Sequence, residues 1–360
     1  TILVQRSLST TQSFTMLAIP LFIFAGNLMN NTGITTRLIK LANVLTGHMY
    51  GSIGQVSVVL STLMGGVSGS AVADAAMECR ILGPEMTKRG YAPGWAAAVN
   101  CLTGLIVATI PPSMGLILYG TVGEVSIGRL FVAGFLPGII MCIFMMLATS
   151  WSARHLGYKP DHEKPSSLGE IVKCCVESIW ALLFPVLLIV LIRFGVMTPS
   201  ESGAFAVFYA LIVGAFIYKE LTLESFKKCI IDSVKDLSVI TMILAFSGIF
   251  SYGVVFDQLP KTLANMLIGF TSNKFVLIFL IIIMLTVFGM FMETTVITLI
   301  VTPILIPVIS QYGIDPVHFG IIMMTVVTMG CSTPPVGVAL YTCSNIMNCS
   351  VEETTRYAIP

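Results

Sequence analysis

The chain has 360 residues, 56% of them hydrophobic and only 10% charged, with a formal net charge of +1. Soluble domains carry about 25% charged residues, so the composition excludes a soluble globular protein and predicts an all-α polytopic membrane protein. The near-zero charge excludes a nucleic-acid partner, and scattered cysteines without CxxC, His-Glu-x-x-His or P-loop motifs exclude a disulfide framework, a transition-metal centre and ATP hydrolysis.

In chain order, residues 1–13 are polar and read as interfacial, and an apolar run over 14–29 approaches the length of a span. Residues 34–50 are amphipathic, with Arg37 and Lys40 on one side and Ile34, Leu38, Leu41 and Leu45 on the other, the pattern of a helix on the membrane surface. Residues 53–86 are apolar on both sides of Gly65-Gly66-Val67-Ser68-Gly69-Ser70-Ala71-Val72-Ala73-Asp74. Glycine costs about 1 kcal/mol in a helix interior, so this cluster breaks the helix. Each arm is too short to cross alone, which predicts a re-entrant helical hairpin with its tip near Ser68, Gly69 and Ser70. After a surface turn at Lys88-Arg89-Gly90-Tyr91-Ala92-Pro93, residues 94–122 form a span broken at Pro111-Pro112, neither of which can donate a backbone hydrogen bond.

Residues 127–153 span again, and the polar stretch from Arg154 to Lys173 divides the chain. Residues 179–195 and 201–218 are two spans joined by Thr198-Pro199-Ser200-Glu201; 221–236 are amphipathic and charged, and 237–256 span. Residues 260–273 are amphipathic, 274–309 form a second hairpin around Met292-Glu293-Thr294-Thr295, and 316–346 form a second span broken at Thr333-Pro334-Pro335-Val336-Gly337.

A shift of 223 residues superimposes Gly66 on Gly289, Pro84 on Pro307, Gly90 on Gly313, Pro93 on Pro316, Pro111-Pro112 on Pro334-Pro335, and Pro137 on Pro360. These residue types set turns and breaks, so what repeats is the backbone path. Five crossings separate the starts of the two copies, and an odd number inverts the second. Inverted repeats with matching broken helices are the pattern of secondary transporters. The expected organisation is a first repeat over 1–153, a cytoplasmic linker over 154–178 and a second repeat over 179–360. Unpaired spans at 127–153 and 179–218 predict a chain truncated at both ends. A cytoplasmic linker places all of the 19 Lys and Arg on that side except Arg6, Arg129, Arg193, Lys261 and Lys274. The hairpins then enter from opposite faces and their tips converge at mid-membrane.

Unwound backbone at such breaks offers carbonyl oxygens to Na⁺ and N–H groups to an anion. Ser68, Ser70 and Ser113 add hydroxyls in the first half; Thr294, Thr295, Ser332 and Thr333 do so in the second. The bland reading, that Gly and Ser only permit close packing, fits one break better than four placed symmetrically. Glu293 reads equally as a functional acid and as a helix cap. Asp74 reads first as structural, with a supporting role in the site as the alternative, and Glu78 is expected at the cytoplasmic interface. No Ser–His pair or facing Asp pair suggests an intramembrane enzyme.

The chain resembles the large membrane subunit of a TRAP (tripartite ATP-independent periplasmic) transporter over nearly its whole length, at Leu17-Ala18-Ile19-Pro20-Leu21-Phe22, the Gly-Gly-Val-Ser-Gly-Ser stretch, Ile110-Pro111-Pro112-Ser113 and Thr198-Pro199-Ser200-Glu201. The resemblance implies an elevator-type, Na⁺-driven importer in the bacterial inner membrane. Its partners would be a small four-helix membrane subunit and a periplasmic binding protein that delivers an organic anion. It also implies ion sites at Ser68, Gly69, Ser70, Pro111, Pro112 and Ser113 in one half, and at Glu293, Thr294, Thr295, Thr333, Pro334 and Pro335 in the other, with no other cofactor. A stand-alone Na⁺-coupled dicarboxylate or citrate-type carrier is the alternative. Met77-Glu78-Cys79-Arg80 is more polar than the small apolar residues the family carries there.

Overall fold

The computed structural model describes residues 17–65, 70–162, 164–258 and 273–359, together with Gln5 and Thr262. The readings of 1–13 and of 260–273, and the tip residues Ser68 and Gly69, therefore lie wholly or largely outside the described residues. The remainder is helical. The first half contains α1 (Ala18–Asn30), α2 (Ile34–Thr46), α3 (Ser52–Met64), α4 (Ala71–Ile81), α5 (Gly83–Lys88), α6 (Pro93–Thr109), α7 (Met114–Val122) and α8 (Ile127–His155). The second contains α9 (Leu168–Glu177), α10 (Ile179–Arg193), α11 (Pro199–Ile212), α12 (Leu223–Phe256), α13 (Lys274–Phe291), α14 (Thr294–Gln311), α15 (Pro316–Cys331), α16 (Val338–Met347) and α17 (Val351–Ala358).

Local chemistry sets these boundaries. Proline stands in the first turn of α6, α11 and α15, where its missing N–H costs nothing. Reciprocal capping boxes open α9 (Ser167 with Glu170) and α11 (Thr198 with Glu201). Gly90 and Gly313 both have positive φ, +82° and +65°, in the turns that precede α6 and α15. An L side chain is strained there, which explains why glycine recurs in both copies.

By length and composition, four helices among the described residues can cross a membrane, or up to six if each bent pair is one span. The pair α6 and α7 bends by 44°, at the break read from Pro111-Pro112. Large apolar side chains face outward, among them Leu136, Phe144 and Leu147 on α8 and Phe279 on α13. An outward apolar belt over a polar-containing interior is the arrangement hydrocarbon favours. All nine cysteines are free thiols.

Contacts along α8 fix the relative direction of the repeats. Its 29 residues extend roughly 43 Å at about 1.5 Å per residue. Just beyond its C-terminal end, Tyr158 accepts a hydrogen bond from the Ala92 N–H at 2.9 Å and packs on Tyr91 and Trp95, at the start of α6. At its N-terminal end, Arg129 pairs with Asp315 at 3.3 Å, the residue that caps α15. The twins α6 and α15 therefore begin at opposite ends of α8, and the second copy is inverted. Secondary structure follows the same register: the shift carries Ala71 onto Thr294 and Pro93 onto Pro316, each the first residue of its helix.

The structure corrects two expectations, on residues 221–256 and on Glu78, and adds detail to two more. Residues 221–236 and 237–256 are one continuous helix, α12, because no Gly or Pro interrupts the junction. The polar linker contains a capped helix, α9, joined to α10 through a 67° bend. In the second hairpin, α13 and α14 have 18 residues each and each is long and apolar enough to cross alone, whereas α3 and α4 have 13 and 11. Glu78 is not at an interface: it is fully buried between α3, α4 and α6.

Candidate functional site

The first hairpin closes on a buried carboxyl. Glu78 on α4 accepts hydrogen bonds from Ser57 Oγ at 2.5 Å, Ser61 Oγ at 2.6 Å and Thr103 Oγ1 at 3.1 Å. Ser57 and Ser61 lie one turn apart on α3 and Thr103 faces them from α6, so one side chain ties three helices. The polar Met77-Glu78-Cys79-Arg80 stretch is thus explained by its partners. Asp74, one turn earlier on α4, is also buried and does not line the cavity described below.

Ser70 stands at the N-cap of α4 in extended conformation (φ −113°, ψ 110°), with no side-chain cap bond. At the first broken span, Ser113 caps α7: its Oγ donates to the Ala108 carbonyl at 2.6 Å and accepts from the Leu116 N–H at 3.4 Å. Pro111 and Pro112 are buried beside it. The Pro111–Pro112 and Pro334–Pro335 peptide bonds are both cis.

At the second tip, Met292 and Glu293 are extended and α14 starts at Thr294. Glu293 Oε2 accepts from the Thr295 N–H at 2.8 Å and Oε1 from Thr295 Oγ1 at 3.0 Å. It is a helix cap, and it also faces the cavity. The second break is bound to this tip. The Gly337 N–H donates to the Met290 carbonyl at 2.8 Å, Cys331 Sγ donates to the Met292 carbonyl at 3.3 Å, and Thr294 Oγ1 lies 3.2 Å from Cys331 Sγ. The approach is close because Gly289 on α13 meets Gly330 on α15: a Cβ on Gly289 would stand 2.7 Å from the Val327 carbonyl oxygen.

A cavity of about 430 Å³ joins these parts. One wall consists of residues 70–73, 113–115 and 293–296, which are the first turns of α4, α7 and α14. Three helix N-termini from both halves therefore face one space: those of α4 and α7 bring first-turn N–H groups and the positive end of a dipole to it, whereas that of α14 is already capped by the Glu293 carboxylate. The rest of the lining comes mainly from α1, with Ile23, Gly26, Asn27 and Asn30, and from α12, with Asp236, Val239, Ile240 and Ile243. Among the described lining residues the charged ones are Asp236 and Glu293, both acids. An anion entering such a space would meet backbone donors rather than cationic side chains.

Of the residues singled out from the sequence, Ser70, Ser113, Glu293, Thr294 and Thr295 line this cavity together. Thr333, Pro334 and Pro335 do not: Thr333 Oγ1 donates to the Met329 carbonyl at 2.7 Å, and Pro335 is exposed. Pro111 and Pro112, which precede Ser113 in the chain, are buried and do not line the cavity. Sequence reasoning missed Asn27, Asn30 and Asp236. The signal for the asparagines was polarity within and beside an apolar span; Asp236 was hidden at the end of a charged stretch.

A family profile described as "Tripartite ATP-independent periplasmic transporter, DctM component" matches residues 1–360. The chain is 36% identical over 356 residues to the sialic acid TRAP transporter large permease protein SiaM of Vibrio cholerae, covering 99% of this chain and 83% of that protein. It is 34% identical over 359 residues to the 2,3-diketo-L-gulonate TRAP transporter large permease protein YiaN of Escherichia coli, covering 100% and 84%. It is also 33% identical to the isethionate TRAP transporter permease protein DctMQ of Oleidesulfovibrio alaskensis, over 99% of this chain but only 56% of that longer protein. Among solved structures, the Alcanivorax borkumensis YdaH transporter, described as having an unusual topology, superimposes with a TM-score of 0.62 at 13% identity, covering 99% of this chain and 85% of that one. At that identity the likeness is one of fold.

Proposed function

Because the chain belongs to the DctM family of tripartite ATP-independent periplasmic transporters, we propose that it is a large permease that uses a Na⁺ gradient to import a small organic anion: a C4-dicarboxylate, a sialic acid or a related carboxylate. The observation that carries this reading is the meeting of three helix N-termini from inverted halves in one cavity of about 430 Å³, a size suited to a small organic molecule. The N–H groups of α4 and α7 hold the carboxylate. Hydroxyl and carbonyl oxygens at Ser68, Gly69, Ser70, Pro111, Pro112 and Ser113, and at Glu293, Thr294, Thr295, Thr333, Pro334 and Pro335, supply hard ligands for Na⁺ behind it. Bound Na⁺ offsets Glu293, so the anion is held well only when the cation is present. That mutual dependence is the coupling.

Alternating access is of the elevator type: the hairpins and broken helices carry the site past a wall formed by α1 and α12. The linker face, rich in Lys and Arg, lies in the cytoplasm of a bacterial cell, in its inner membrane. A small four-helix membrane subunit and a periplasmic binding protein complete the assembly, the latter delivering the substrate. Reconstitution into liposomes tests this directly. Uptake of a labelled organic acid is expected only with inward-directed Na⁺, the small subunit and the cognate binding protein. Full uptake without the binding protein would establish a stand-alone carrier instead, and uptake indifferent to Na⁺ would remove the ion sites.

A further inference from the structure

Resting on that reading, the two unlike walls of the cavity say which anions suit it. One wall offers backbone N–H groups at the first turns of α4 and α7, beside the Glu293 carboxylate, which is turned back onto the N–H and hydroxyl of Thr295 on α14. The other presents a fixed carboxylate, Asp236, with the amides of Asn27 and Asn30. Asn27 Nδ2 donates to Ser233 Oγ at 3.0 Å and to Asp236 Oδ2 at 3.3 Å, which orients the acid on the α1 side of α12. Among the described lining residues there is no Lys, Arg or His to neutralise a second negative group.

A molecule filling this space meets N–H donors at α4 and α7 and acceptors at Asp236, Asn27 and Asn30. We propose that the cavity selects a singly charged acid whose far end carries hydroxyl or ammonium donors, and that Asp236 is the residue that rejects a dicarboxylate. A second carboxylate would approach Asp236 as a like charge, whereas hydroxyl or ammonium hydrogens would bond to it and to the asparagine carbonyls. Specificity by a placed repulsion is a recognised device, and like charges across an interface are strongly disfavoured.

Gluconate, a hydroxylated monocarboxylate, and succinate, a dicarboxylate, serve as probes. Their binding to the purified protein with its Na⁺ present is read by thermal shift and by isothermal titration, which bypasses delivery. Gluconate is expected to bind the unmodified protein more tightly than succinate by on the order of tenfold or more. Asp236→Asn is expected to invert or erase that preference by strengthening succinate binding. Asp236 is exposed on α12, so the substitution leaves the fold intact, and the ratio in the unmodified protein is a second readout that needs no variant. Equal binding of both acids before and after the substitution would overturn the role of Asp236 while leaving an anion site. Binding of neither acid would overturn the anion site itself, and this inference with it.

Discussion

Glu78 shows how a single side chain organises a hairpin. Its carboxyl satisfies hydroxyls from α3 and α6 at 2.5, 2.6 and 3.1 Å, with no cation within ion-pair distance among the described residues. Removing it leaves the buried Ser57 and Ser61 hydroxyls without that acceptor, at about 1–3 kcal/mol per orphaned group, while Thr103 keeps the Asn100 carbonyl, and opens a void. Glu78→Ala is therefore expected to lower the melting temperature in detergent by several degrees, while Glu78→Gln, which keeps a carbonyl acceptor and the volume, retains most of the stability. Equal melting of the two variants would show that the hydroxyl cluster contributes little. Sequence alone discounted this residue because helical spacing relates Glu78 to Asp74 on its own helix but not to Ser57 and Ser61 on another. Asp236 was overlooked for the same reason: its neighbour Asn27 is more than two hundred residues away. Ser70, Ser113 and Glu293 were legible because each sits at a break, and breaks are written locally in Gly, Ser and Pro.

At the scale of helices, small residues set how closely the second hairpin meets the second broken span. A Cβ on Gly330 would stand 2.6 Å from the Gly289 Cα and 2.8 Å from the Thr286 carbonyl, both backbone atoms that cannot step aside. Gly330→Val is expected to cost about 1–3 kcal/mol by overpacking and to lower the melting temperature. Gly253→Ala on α12, where a Cβ meets nothing within 4 Å, leaves it unchanged or slightly raised. The surface helices depend instead on charge. Lys40 on α2 and Glu177 on α9 approach to 2.7 Å. That hydrogen bond, with the charge of the ammonium, holds Glu177 below its ordinary value of 4.5. A lowered carboxylate contributes above its unfolded value and loses that contribution as pH falls through the folded one. Amide exchange in α9 should accordingly rise below about pH 4.5, and Lys40→Met should produce the same rise at neutral pH. Unchanged protection in that variant would assign α9's position to its apolar face alone. Helix boundaries were legible wherever Pro or a capping box marks them. The continuity of α12 was not, since a change from charged to apolar residues alters a helix's surroundings without breaking it.

For the whole molecule the governing fact is that equivalent helices begin on opposite faces. The repeat of Gly and Pro was readable, because both copies need the same turns, but its direction rested on counting crossings, where one misjudged span reverses the answer. Geometry removes that dependence, since Tyr158 and Arg129 mark the two ends of α8 and touch the starts of α6 and α15 respectively. Lys88 and Gln311 are partners under the 223-residue shift, close α5 and α14, and are both exposed. Lys88 is close in sequence to Ala92, which meets Tyr158, and Gln311 to Asp315, which meets Arg129; the ends of α8 are separated by roughly 43 Å at about 1.5 Å per residue, more than the hydrocarbon thickness of about 30 Å. An impermeant thiol reagent should therefore label Lys88→Cys from the cytoplasmic side only and Gln311→Cys from the periplasmic side only, each read above the unsubstituted protein. Labelling of both from one side would contradict the inversion. Labelling of each from the unexpected side would keep the inversion and reverse the orientation, placing the Lys- and Arg-rich face outside.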